Sequence, residues 1–136
     1  QFLAIETLVG GLLVVWFWFN VESGELRRMP YVVTGALVGV FLSWLPLWLI
    51  AHLGPNGIWL GLLAMIVAIF LDIIAVVPLL FNRAMTLFLT FAAAPIVQLH
   101  VDFVQLAISI VAGGIYFAAF TEAAKWLAAR AGTAAA

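Results

Sequence analysis

Cysteine is absent from the 136 residues, and charged side chains make up only 8% of them. Without thiols the chain has no disulfides, thiolate metal sites, iron–sulfur clusters or cysteine nucleophiles, and its redox compartment is left undetermined. Six acidic and five basic residues give a formal net charge of −1, and no basic stripe for nucleic acid can be built from them. Histidine occurs only twice, as His52 and His100. Neither sits in an HExxH spacing, and no serine adjoins either, so neither a motif-borne metallohydrolase nor a Ser–His–Asp nucleophile is indicated. There is also no GxGxxG run or phosphate-loop lysine, which leaves the glycines as packing contacts.

What is there is apolar. Hydrophobic residues make up 68% of the chain, and its mean hydropathy is +1.29, beyond the range of a soluble domain. The expectation is an all-α integral membrane protein, multi-pass, in an inner or plasma membrane of bacterial type. Five spans are predicted in a single domain, over 2–19, 31–51, 58–81, 84–99 and 103–120, with a tail at 121–136 that can extend the last helix through Glu122 and Lys125 before it frays in alanine. The first reads as a retained span: no basic region precedes it, and no small-residue cleavage site follows its aromatic end. With five spans Arg27, Arg28, Arg83, Lys125 and Arg130 fall on one side, which places the amino terminus outside and the carboxyl terminus in the cytoplasm. Residues 84–120 are short for two spans. A re-entrant hairpin there keeps the same parity and gives the alternative of four spans plus a hairpin.

The third predicted span carries one charge, Asp72, in a run of 24 residues, which puts a carboxylate near mid-membrane. Ionised groups are costly in hydrocarbon, so such an acid is by default a functional-site hypothesis. Its helix face reads Gly61, Ala64, Ala68, Asp72 and Ala75, a small-residue stripe that lets another helix approach. Thr90 and Ser109 are expected at the same depth, with no base among them. One reading is a proton- or cation-binding site made of Asp72, Thr90 and Ser109. The other is a neutral acid hydrogen-bonded to a hydroxyl or a carbonyl as packing glue.

A second polar group is expected at the outer ends: Glu6, His52, His100 and Asp102. Imidazole with carboxylate suits zinc, iron or copper, and two histidines at one depth could hold a haem, so His52 and His100 are the metal or cofactor candidates. The plainer reading places these four residues in the headgroup zone. Gly35 and Gly39 in GxxxG spacing, Gly61, and the Gly113–Gly114 pair are the predicted helix-packing glycines. The Gly35/Gly39 and Gly113/Gly114 faces are the expected contacts with copies of the chain or with other membrane subunits. Trp16, Trp18, Trp48, Trp59 and Trp126 read as interfacial anchors, and Trp44 lies deeper. Glu22, Glu25, Arg27 and Arg28 form a polar turn whose arginines can meet lipid phosphates.

Three functions fit these residues. The first is a small transporter or channel component moving protons, cations or a small solute through Asp72. The second is a non-catalytic subunit of a larger membrane complex, respiratory or photosynthetic. The third is a membrane enzyme acting on a lipid or quinone at the outer His–Asp group.

Overall fold

The computed structural model describes residues 5–134, with side chains over 8–131. The chain is helical throughout, with no strand among the described residues. The helices are α1 (Ile5–Asn20), α2 (Met29–Leu53), α3 (Gly57–Ile73), α4 (Arg83–Ala92), α5 (Pro95–His100) and α6 (Phe103–Ala134), and one 3-10 turn, Leu26–Arg28, leads into α2. Two stretches, Leu26–Leu53 and Phe103–Ala131, are long and apolar enough to cross a membrane. The 10 residues of α4 rise only about 15 Å, half of a hydrocarbon core.

The second helix is the centre of the bundle: α1, α3, α4 and α6 all pack on it, α1 and α6 pair with each other, and α3 touches α4. One core joins Val14, Phe17 and Trp18 of α1 with Val32, Ala36 and Val40 of α2, Ala84, Phe88 and Ala92 of α4, and Leu106 and Ile110 of α6. A smaller one joins Leu42, Ala68, Met85 and Leu89. The short α4 therefore buries positions 84, 85, 88, 89 and 92, the 3–4 spacing of one helix face. Thr86 and Thr90 are left on its other side.

Backbones approach closely where side chains are missing. A Cβ on Gly39 would lie 2.8 Å from the Leu89 amide nitrogen, and one on Gly61 would lie 2.6 Å from Pro46 Cβ. Gly113 sits against Gly11 of α1, Gly114 against Val33 of α2, and Gly35 against the Asn82 side chain. All five predicted packing glycines thus meet helices or loops of their own chain. Within the chain these faces are occupied, Gly35 by the Asn82 side chain, Gly39 by α4, and Gly113 and Gly114 by α1 and α2.

Three predicted boundaries move. The third helix stops at Ile73 rather than running to residue 81. Pro78 gives a reason: it has no N–H to donate to Ile74, and its ring crowds that carbonyl. The end is closed by Ala75 N–H to Asp72 O (3.1 Å) and Val76 N–H to Leu71 O (3.4 Å). Ala75 stands at φ 50° between these bonds, the paired pattern of a left-handed helix terminus. Ala75 therefore lies off the small-residue stripe. Residues 74–82 then fold as turns and are tied to the head of α2. Asn82 Nδ2 donates to Tyr31 O (2.8 Å) and Pro78 O (3.0 Å), while its Oδ1 accepts from Ala84 N and Met85 N at the start of α4. The Thr34 hydroxyl lies 2.7 Å from Leu79 O and equally near Pro30 O, with one proton for the two.

The fourth predicted span is broken at Ala93–Ala94, and α5 starts with Pro95 in its first turn, where the missing N–H is harmless. The fifth runs on through the predicted tail to Ala134 as one helix of 32 residues. Its last described side chains, from Glu122 to Ala131, are all exposed. Trp18, expected at an interface, is instead fully buried and donates its indole N–H to Glu25 O at 2.8 Å. The tryptophans Trp16, Trp48, Trp59 and Trp126 are exposed.

Candidate functional site

Asp72 is the only acidic residue between Glu25 and Asp102. It is the penultimate residue of α3, so it lies in the helix's last turn and not midway along an unbroken span. The small residues one and three turns earlier, Ala68 and Gly61, are buried against α2, and this seating turns Asp72, half-buried, towards α4. There Thr86 Oγ1 donates to Asp72 Oδ2 at 2.8 Å. This is the one side chain to side chain hydrogen bond among the described residues that joins two helices.

Of the two hydroxyls expected beside Asp72, neither is its partner. Thr90 is exposed and donates to Thr86 O at 2.8 Å, one turn along α4 from the bond itself. Ser109 is 8% exposed and sits between α1 and α6, where its Oγ accepts from Gly11 N at 3.0 Å. Thr86 was not among the expected residues. Its signal lay in the sequence, because Pro78 and the Asn82 cap together start a new helix at Arg83, and Thr86 then falls in that helix's first turn.

Chemically, the Asp72–Thr86 pair offers a carboxylate, a hydroxyl that can donate or accept, and the adjacent carbonyl end of α3. Helix C-termini carry partial negative charge, so the position suits a proton or a cation and opposes an anion. The bond also fastens the end of α3 to the start of α4 across the 74–82 turn.

The outer polar group resolves into separate local bonds. His52 Nδ1 lies 2.9 Å from Trp48 O, and its ring stacks on Trp48 with centroids 4.3 Å apart. His100 Nδ1 lies 3.0 Å from Ile96 O. A carbonyl only accepts, so in each ring Nδ1 carries the proton and Nε2 is the atom left for a ligand. Asp102 Oδ1 accepts from Val104 N at 2.8 Å and so caps α6. Glu6 lies outside the described side chains. Among the described residues no three His, Asp or Glu side chains gather where one metal ion could be held.

No family model, curated protein or solved structure matches the chain.

Proposed function

We propose that the chain is a membrane-embedded transport component in which Asp72, with Thr86, takes up and releases a proton or small cation. The observation that carries this reading is the Asp72–Thr86 bond. It sets the only carboxylate of the apolar central stretch against a hydroxyl from another helix, at the negative end of α3. Support for the membrane setting comes from α3, whose buried residues are only Gly57, Gly61 and Ala68. Its outward residues include Trp59 (70% exposed), Ile66 (64%) and Ile73 (75%). A face of that kind is unfavourable in water and suits hydrocarbon or a protein partner.

Reconstituted into liposomes, the protein should pass protons or monovalent cations, followed by a trapped pH dye or by isotope uptake. Asp72→Asn should abolish the flux, and Thr86→Val should reduce it, with helix content unchanged. Flux that survives Asp72→Asn would reject the reading.

The same apolar face of α3 favours a second reading, a non-catalytic subunit seated against other membrane helices. Purification in a mild detergent tests it: a stoichiometric membrane partner supports it, and a chain that runs alone removes it. The enzyme reading gains no support from the geometry, because His52, His100 and Asp102 bond to their own or the adjoining helix.

A further inference from the structure

At the head of α2, Glu25, Arg27, Arg28 and Tyr31 line a recess of about 280 Å³, near the roughly 300 Å³ lower end of small-molecule pockets. We propose that this recess binds a phosphate ester carrying a primary amine, the headgroup chemistry of a phosphoethanolamine lipid. The proposal rests on the membrane reading given above.

The side chains in the recess are largely uncommitted. Arg27 makes no ion pair or hydrogen bond with its side chain among the described residues, and Glu25 contributes only backbone atoms to its bonds. Arg28 has one ionic neighbour, Glu22 Oε2 at 3.7 Å from its Nε, which is beyond hydrogen-bond length. Its guanidinium lies 5.9 Å from the Tyr31 ring centroid. Two guanidinium groups therefore line one recess, and such groups match phosphate oxygens in pairs.

An anion alone is a poor fit. Glu25 lines the same recess, and Glu22 offsets Arg28, so the formal charge of these four groups cancels. A zwitterion meets both signs: its phosphate faces Arg27 and Arg28, and its ammonium faces the Glu25 carboxylate. The location agrees, because the recess opens where the apolar stretch Leu26–Leu53 begins, and in a membrane that level is occupied by headgroups. A quaternary amine lacks N–H donors for Glu25, and a glycerol headgroup lacks the positive charge. The recess should therefore rank phosphatidylethanolamine above phosphatidylcholine and phosphatidylglycerol.

The test uses the full chain in a non-ionic detergent, titrated with these three lipids bearing identical acyl chains, with occupancy read by native mass spectrometry. Arg27→Gln should weaken all three by about tenfold, the scale of one hydrogen bond to a charged group. Glu25→Gln should remove the preference for phosphatidylethanolamine and leave phosphatidylglycerol unchanged or tighter. Arg83→Gln, outside the recess, should change nothing. Neither recess variant removes a side-chain bond, so both should keep the wild-type helix content. Competition by soluble glycerophosphoethanolamine would make the free headgroup a ligand as well, whereas binding without competition would assign the site to the lipid. Equal affinity for the three lipids, or indifference to Glu25→Gln and Arg27→Gln, overturns the proposal. Carbonate extraction separates the two failures: a chain that stays in the membrane but shows no preference refutes the headgroup site alone, and one that is extracted refutes both readings.

Discussion

Replacing Ala75 with glycine should stabilise the protein. Ala75 holds φ at 50° in the turn that ends α3, with its N–H bonded to Asp72 O and the next N–H to Leu71 O. A left-handed conformation costs an L-residue about 1–2 kcal/mol, and glycine removes that cost. Glycine also loosens the unfolded chain, which returns about 0.4–1 kcal/mol. The exposed methyl of Ala75 makes no buried contact that would be lost. The difference is a net gain of about 0.5–1 kcal/mol. It should be read as a shift in the midpoint of denaturation in mixed detergent micelles, followed by circular dichroism with an unchanged transition slope. Ala75→Val, a β-branched residue forced into the same region, should shift the midpoint the other way. A destabilised Ala75→Gly, or a valine variant no worse than wild type, would show that α3 does not end as described. The position of Asp72 at that end would then fall with it.

Asn82→Ala should lose about 2 kcal/mol in the same assay, about one for the helix cap and about one for the tie to Tyr31 O. Asn82→Asp keeps the cap but loses the donor, so it should recover only part of this. Gly39→Leu should push α4 off α2 at a cost of about 3 kcal/mol, seen as faster proteolysis within residues 83–92. Trp18→Phe removes the bond to Glu25 O and should cost about 1–2 kcal/mol. It should also delete a blue-shifted component of the tryptophan emission, since Trp18 is the fully buried indole.

The helical class and the loop between α2 and α3 were legible because apolar content and the Gly54-Pro55-Asn56-Gly57 turn are local signals. The end of α3 was not. Hydropathy carried the third predicted span through residue 81, since Ile74, Val76, Val77, Leu79 and Leu80 are as apolar as a spanning helix. The backbone chemistry of Pro78 and Asn82 outweighs that composition, because hydropathy averages side chains and ignores a missing N–H. Asp72 was correctly turned towards protein by its stripe of Gly61, Ala64 and Ala68. Its partner was misjudged because depth counted along unbroken helices put Thr90, and not Thr86, beside it. Trp18 shows a related limit. Position near a helix end suggests an interface, but burial depends on which loop folds over that end, here residues 21–28.

Gly11 and Ser109, which meet in the α1–α6 pair, are 98 residues apart in the chain. Closing a loop of that length carries a length-dependent entropy cost of about 4 kcal/mol, whereas α2 and α3 meet across a short turn. Of the described helices α1 is synthesised first and α6 last. Biogenesis therefore has an order: the α2–α3 hairpin can form early, the Asn82 turn and α4 can close over Gly35 and Gly39 next, and the groove at Gly11 stays open until α6 has been made. A nascent chain stalled before residue 103 would carry an unfinished first helix with its glycine face available to chaperones or to the wrong neighbour. Of the described helices, the first made is the last completed.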